Sequence, residues 1–261
     1  MKYRNAAGRL ATIQSQVDAA GFLTIADLAL AIGVSEMTIR RDIATLAASG
    51  RVRTAHGGVH SLAGKALVNE TFQERLRQHS AEKDAIARVA VSLIGREDSI
   101  AIDAGSTTLG MLDYLPNDFS GCIVTHSVPV VSIAMGRGQF RTIALGGDVL
   151  RENASMVGPL ATEAAASLRV RRFFMGASAI DHRGVYVAAD IERPTKKALM
   201  EMADEVILLA DHTKFSRSAP VLLCNLDELD FLVTDRDVSP AMKQQLTGAD
   251  VTMIIATDGK Q

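Results

Sequence analysis

Two short amphipathic runs joined by Gly33-Val34-Ser35 constrain this 261-residue chain more than any other feature it carries. The first run is Ile25 to Ile32, and the second, Glu36 to Ala48, starts directly after Ser35. Glycine enters the left-handed turn that other residues resist, and a serine hydroxyl accepts from the free N–H groups of the helix that follows it. Ahead of both, Arg9-Leu-Ala-Thr-Ile-Gln-Ser-Gln-Val places apolar side chains at 10, 13 and 17, the spacing of an amphipathic helix that Gly21 ends. Helix, glycine turn and capped helix form a helix-turn-helix pattern.

At about 100° per residue, Ile39, Ile43 and Leu46 fall in one narrow sector of the last helix and must face a core. Met37, Arg40, Arg41, Ala44 and Thr45 fall opposite, with Thr38 between the sectors near the helix start. A recognition helix needs guanidinium groups there for phosphates or guanine edges. A merely solvated charged face would hold the same residues, and the preceding glycine turn is what favours DNA. After Gly50, Arg51-Val-Arg-Thr-Ala-His-Gly-Gly-Val-His alternates β-type residues around a glycine pair, a hairpin wing with Arg53 and His56 along it or at its tip. Charge points the same way: residues 1–60 hold seven cations (Lys2, Arg4, Arg9, Arg40, Arg41, Arg51, Arg53) against four acids (Asp18, Asp27, Glu36, Asp42). That leaves +3 on this segment and −5 on the remainder of a chain whose net charge is −2.

The run Val34-Ser35-Glu-Met-Thr38-Ile39-Arg40-Arg41-Asp42-Ile43, followed by Leu46, Gly50, Arg53 and His56-Gly57-Gly58, resembles the DeoR family of bacterial regulators, with isoleucine at 43 where the family motif has leucine. The resemblance implies a winged helix-turn-helix domain over 1–60. Its expected contacts with double-stranded operator DNA are Ser35, Met37, Thr38, Arg40, Arg41, Arg53 and His56.

The length suits one small and one large domain, and 48% hydrophobic residues supply ample core. Cys122 and Cys224 lie far apart with no CxxC or histidine cluster beside them, so we expect two buried thiols in a reducing cytosol, with no metal and no cofactor. The N-terminus has no apolar signal core, and no run approaches the ~18 apolar residues that span a bilayer, so the expected location is the cytoplasm. A mixed polar stretch, 61–79, reads as the link. From Ser80 a helix runs to Ile94, and β-rich runs at 99–103, 122–126, 141–146, 172–179, 206–211, 230–234 and 251–256 then alternate with helices. That predicts an α/β domain over 80–261 with a largely parallel sheet and a ligand beyond the C-terminal strand ends.

Those ends are polar. Asp103-Ala104-Gly105-Ser106-Thr107-Thr108 combines small residues, hydroxyls and a helix start, which suits a phosphate, although an ordinary capped turn has the same composition. Thr125-His126-Ser127, then Gly146-Gly147-Asp148 with Arg151, add two further ends. Gly176, Asp181, Glu192, Lys196 and Lys214 follow; Glu192 and Lys196 also have the spacing of a surface i,i+4 pair.

Asp103 to Thr108, Thr125, Gly146-Gly147, Gly158, Asp181, Gly184, Glu192, Lys196, Asp211 and Lys214-Phe215 carry the resemblance over nearly the whole chain, into the DeoR sensor domain, whose fold is similar to that of ribose-5-phosphate isomerase. The family commonly has asparagine where this chain has His126. The resemblance implies a repressor of a carbohydrate catabolism operon, controlled by a phosphorylated sugar or related metabolite. Asp103, Asp181, Glu192 and Lys196 could supply proton transfer in an enzyme, but no tight catalytic signature accompanies them and we expect none. A second domain serving assembly alone would leave the polar strand ends without a purpose. Helix-turn-helix proteins commonly bind paired half-sites, so a homodimer or homotetramer is expected.

Overall fold

The computed structural model describes residues 6–20, 22–55, 58–61, 72–137 and 140–256. The chain divides into two compact units, residues 1–67 with Phe215–Ser218, and the remainder. In the first unit, helices Ala6–Ala20, Ile25–Ile32 and Glu36–Ala48 pack with strands Val52–Ala55 and Gly58–Ser61. Gly33 takes φ 74° at the turn and the Ser35 hydroxyl accepts from Thr38 N, as the sequence requires. Ile13, Val17, Leu28, Ile39, Ile43, Leu46, Val52 and Val59 form the core, each such side chain contributing about 1.5–3 kcal/mol on burial. A short strand not read from the sequence, Phe22–Thr24, joins the wing by pairing with Gly58–Ser61. The buried Asp42 takes two bonds from Arg9, at 2.5 and 3.0 Å, tying the first helix to the third.

The second unit is built on seven parallel strands in the spatial order Thr252–Ile255, Phe231–Thr234, Ala203–Leu209, Val170–Gly176, Ser99–Ile102, Cys122–Thr125 and Arg141–Ala144. Each of the seven β-rich runs of the sequence overlaps one strand of this sheet, although the run 172–179 extends past Gly176 into Ala179, which begins a strand of a separate antiparallel sheet. Helix Ser80–Ser92 precedes the first strand, and helices Ser106–Leu109, Met111–Tyr114, Val128–Arg137, Pro159–Ala166, Glu192–Glu201 and Pro240–Gly248 lie between strands in the chain. Two antiparallel additions were not foreseen: the hairpin Asp148–Leu150/Ser155–Val157, and a three-stranded sheet of Ala179–Asp181, Gly184–Val187 and Val221–Cys224. Helix Phe72–Arg77 also stands inside the stretch 61–79 read as a link; residues 62–71 lie outside the described residues.

The strand order matters for function. The chain leaves Ser99–Ile102 toward one edge of the sheet, then returns to place Val170–Gly176 on the other side of that strand. The order therefore reverses between these two neighbours, and in open parallel sheets a crevice forms beyond the strand ends at such a point. Asp103 and Gly176 are the residues at that place, and Asp103 Oδ2 accepts from Gly176 N at 2.8 Å. Cys224 is buried as expected, but Cys122, the first residue of its strand, is only half-buried. Among the described residues no helix is long and apolar enough to cross a membrane.

Candidate functional site

Helix Glu36–Ala48 divides as its periodicity predicts. Ile39, Ile43 and Leu46 are buried, while Ser35, Met37, Arg40, Arg41, Ala44 and Thr45 are exposed and Thr38 is half-buried. Met37 is 75% exposed, a large apolar side chain with no packing reason to be there. Arg40 has Glu36 at 3.6 Å, an exposed i,i+4 pair of the kind worth a few tenths of a kcal/mol, so it is readily exchanged for a phosphate. Arg9, counted with the basic charges of this segment, is spent on Asp42 and adds nothing to the outer face. Arg53 belongs to strand Val52–Ala55, and His56 lies outside the described residues.

In the second unit a polar cavity open to solvent sits at the strand-order reversal. Asp103, Gly105, Ser106, Thr107, His126, Gly176, Glu192, Lys196 and Lys214 line it, all expected from the sequence. Lys196 reaches from the helix Glu192–Glu201 to Asp103 Oδ2 at 2.7 Å and donates to Gly176 O at 2.9 Å. Burial pushes the Asp103 carboxyl up, but Lys196 and the Gly176 N–H outweigh it and hold the group below the usual carboxylate range. Glu192 goes the other way, raised chiefly by burial despite Lys196 nearby. Lys214 is buried, one turn after Asp211, whose carboxyl burial raises and Lys214 lowers to a net depressed value.

The family comparison agrees with both halves. A DeoR-like helix-turn-helix domain matches residues 9–64, and the DeoR C terminal sensor domain matches residues 78–236. The chain belongs to the DeoR family. As a DeoR-family transcriptional regulator it is 31% identical over 238 residues to the HTH-type transcriptional repressor CsqR of Escherichia coli strain K12, covering 90% of each chain. It is 30% identical over 252 residues to the lactose phosphotransferase system repressor of Lactococcus lactis subsp. lactis, covering 96% of this chain and 98% of that one. Ribose 5-phosphate isomerase A from Methanocaldococcus jannaschii aligns over 52% of this chain and 55% of its own, at 17% identity and a TM-score of 0.40.

Several residues expected at the effector do other work in this DeoR sensor domain. The Thr108 hydroxyl accepts from Gly105 N and donates to Asp103 O, fastening the turn rather than facing a ligand. Thr125 is fully buried, donating to Ile102 O, and Ser127 Oγ accepts from Val130 N at the start of the next helix. Gly146 and Gly147 shape the backbone, at φ 73° and 108°; a Cβ on Gly147 would stand 2.4 Å from Val157 O. Asp148 and Arg151 are exposed, and Asp181 closes a hairpin turn through Arg183 N at 2.8 Å. None of these lines the cavity.

Arg75, Asn153 and Ser178 line it without having been read from the sequence. Arg75 comes from helix Phe72–Arg77 and bonds Asn153 Oδ1 at 2.8 Å. The apolar pair Phe72 and Leu76 at i,i+4 was the available signal for that helix. Outside the cavity, Glu82, His212 and Asp235 bring three metal-ligating side chains together, but His212 Nδ1 and Arg236 Nε already engage Asp235 Oδ2 at 2.8 and 3.0 Å.

Proposed function

We propose that this DeoR-family regulator represses genes of sugar uptake or breakdown, and that a phosphorylated sugar or related metabolite in the cavity changes its hold on the operator. The observation that carries the ligand reading is the cavity wall itself. It buries Lys196 and Lys214 and brings Arg75 beside them, against Asp103 and a Glu192 whose raised pKa weakens its charge. Three cationic side chains against one firmly ionised carboxylate leave the wall with a positive excess, which favours an anionic ligand. The relatives supply the rest: CsqR is a repressor, and the Lactococcus relative is the repressor of a lactose phosphotransferase system. DNA is held through Arg40, Arg41 and their neighbours, by a homodimer or homotetramer in the cytoplasm.

The same reading makes the sensor domain a binder rather than an enzyme. Asp103 and Lys196, the pair best placed for proton transfer, are committed to each other and to the Gly176 backbone. A thermal-shift screen of sugar phosphates with the full chain tests the proposal, because a ligand that binds only the folded state at a hundred times its Kd stabilises by about 2.7 kcal/mol. Stabilisation without turnover of the same compounds is expected. Turnover, or no stabilisation by any phosphorylated metabolite, overturns it.

A further inference from the structure

Two buried polar atoms in the cavity wall have no hydrogen bond. Asp103 Oδ2 is taken up by Gly176 N and Lys196 Nζ, but Asp103 Oδ1 has no hydrogen bond, and neither has His126 Nδ1. Both atoms are buried and both residues line the cavity. Buried polar atoms are almost always bonded, and leaving one unpaired costs about 1–3 kcal/mol. Such a pair in a wall that also holds the cations is therefore reserved for a ligand.

The chemistry of the two groups says which ligand atom they accept. His126 Nε2 stands 3.4 Å from Asp103 Oδ1. An ionised carboxylate only accepts, so the ring proton sits on Nε2, and Nδ1 is left with a bare lone pair. Burial, with Lys196 nearby, outweighs Asp103 and holds the imidazole pKa down to about 4, so the ring is neutral at physiological pH and Nδ1 stays an acceptor.

We infer that His126 is a specificity-determining residue that, with Asp103, selects a ligand presenting a hydroxyl donor over one presenting a carbonyl or carboxylate at that place. This rests on the reading that the cavity takes a phosphorylated metabolite. A carbonyl or carboxylate oxygen would set lone pair against lone pair at both atoms. An ammonium would satisfy them but would place a cation beside Lys196, which is 2.7 Å from the same Asp103. One ligand hydroxyl donates its single proton to His126 Nδ1 without that repulsion, and a neighbouring hydroxyl donates to Asp103 Oδ1.

The test is calorimetric titration of the full chain with matched probes: ribose 5-phosphate against 2-deoxyribose 5-phosphate, glucose 6-phosphate against its 2-deoxy form and against glucosamine 6-phosphate, and glucitol 6-phosphate against 6-phosphogluconate. Wild type is expected to favour the hydroxylated member of at least one pair by about tenfold, because a site built for a hydroxyl strongly rejects the analogue that lacks it. His126→Phe should abolish that preference, and His126→Asn, whose side-chain oxygen accepts, should restore it. A preference unchanged in His126→Phe, or tighter binding of the deoxy, carboxylate or amino member, overturns the inference and leaves the phosphorylated-ligand reading standing. If no probe binds wild type, both readings fall. Should His126→Phe not fold, ring nitrogen chemical shifts in wild type decide: an Nε2-protonated ring whose Nδ1 resonance moves only with hydroxylated probes is expected, and an Nδ1-protonated ring contradicts it.

Discussion

On helix Glu36–Ala48 the guanidinium groups of Arg40 and Arg41 stand in solvent, whereas in the sensor domain Lys196 and Lys214 are buried along a cavity wall. The exposed cations keep their hydration and cost the fold almost nothing, so they are free to be selected for what they touch outside the protein. The buried ones exist only because Asp103, Asp211 and the backbone compensate them, so their neighbourhood is part of the fold as well as of the site. Substitutions on the two surfaces should therefore fail in different ways: loss of binding with the fold intact on one, loss of stability together with ligand response on the other.

The strongest challenge to that contrast is Asp103→Ala. Removing one partner of a buried ion pair costs about 3–5 kcal/mol, and here it leaves Lys196 with the Gly176 carbonyl and a Glu192 whose raised pKa weakens its charge. Urea unfolding of the sensor domain should show a loss of that order. A loss below about 1 kcal/mol would mean that the buried charges are not interdependent.

Acidification probes the same cluster. Unfolded, an imidazole gains its proton near pH 6.5; in the folded chain His126 resists it until about 4. The unfolded state thus takes up the proton first as pH falls, and the stability contributed by neutral His126 is full above pH 6.5 and lost between 6.5 and 4. The loss amounts to about 2 kcal/mol by pH 5. Asp103 adds to it only at lower pH, and the raised Glu192 opposes it. The urea midpoint should fall more steeply with pH in wild type than in His126→Asn; equal slopes would show that the histidine is not held neutral.

On the exposed surface, Arg40→Ala and Arg41→Ala should leave the unfolding curve within about 0.5 kcal/mol of wild type. Operator affinity should fall by roughly 1–3 kcal/mol for a bidentate base contact, or the salt slope by about one for a phosphate contact. Unchanged affinity in both variants would remove the helix from the interface.

How far each region was legible in the sequence follows from the same contrast. An outward face is a matter of angular position, so Ile39, Ile43 and Leu46 against Arg40 and Arg41 separated cleanly. The strands were legible because a buried parallel strand is an unbroken β-rich run bounded by turns. Inside the sensor domain, residue type was less informative than partner. Thr108 and Thr125 carry the hydroxyls that a phosphate needs, but backbone groups satisfy them, and no local pattern announces that. Arg75 and Asn153 were missed because they reach the cavity from a helix and a turn away from the main strand ends. Asp42 reads as one more charge of the motif, because the Arg9 that bonds it lies 33 residues away and only the fold brings the two together.

The central claim, that the cavity of one unit controls what the other unit binds, is tested most directly by titrating operator affinity with a stabilising sugar phosphate at fixed salt, in wild type and in Lys214→Ala. Both proteins should bind operator equally in the absence of the sugar phosphate. The effector concentration that changes binding should rise by about tenfold in the variant, about 1.4 kcal/mol of ligand affinity. A variant that responds at the wild-type concentration would contradict the assignment of the cavity as the sensing site.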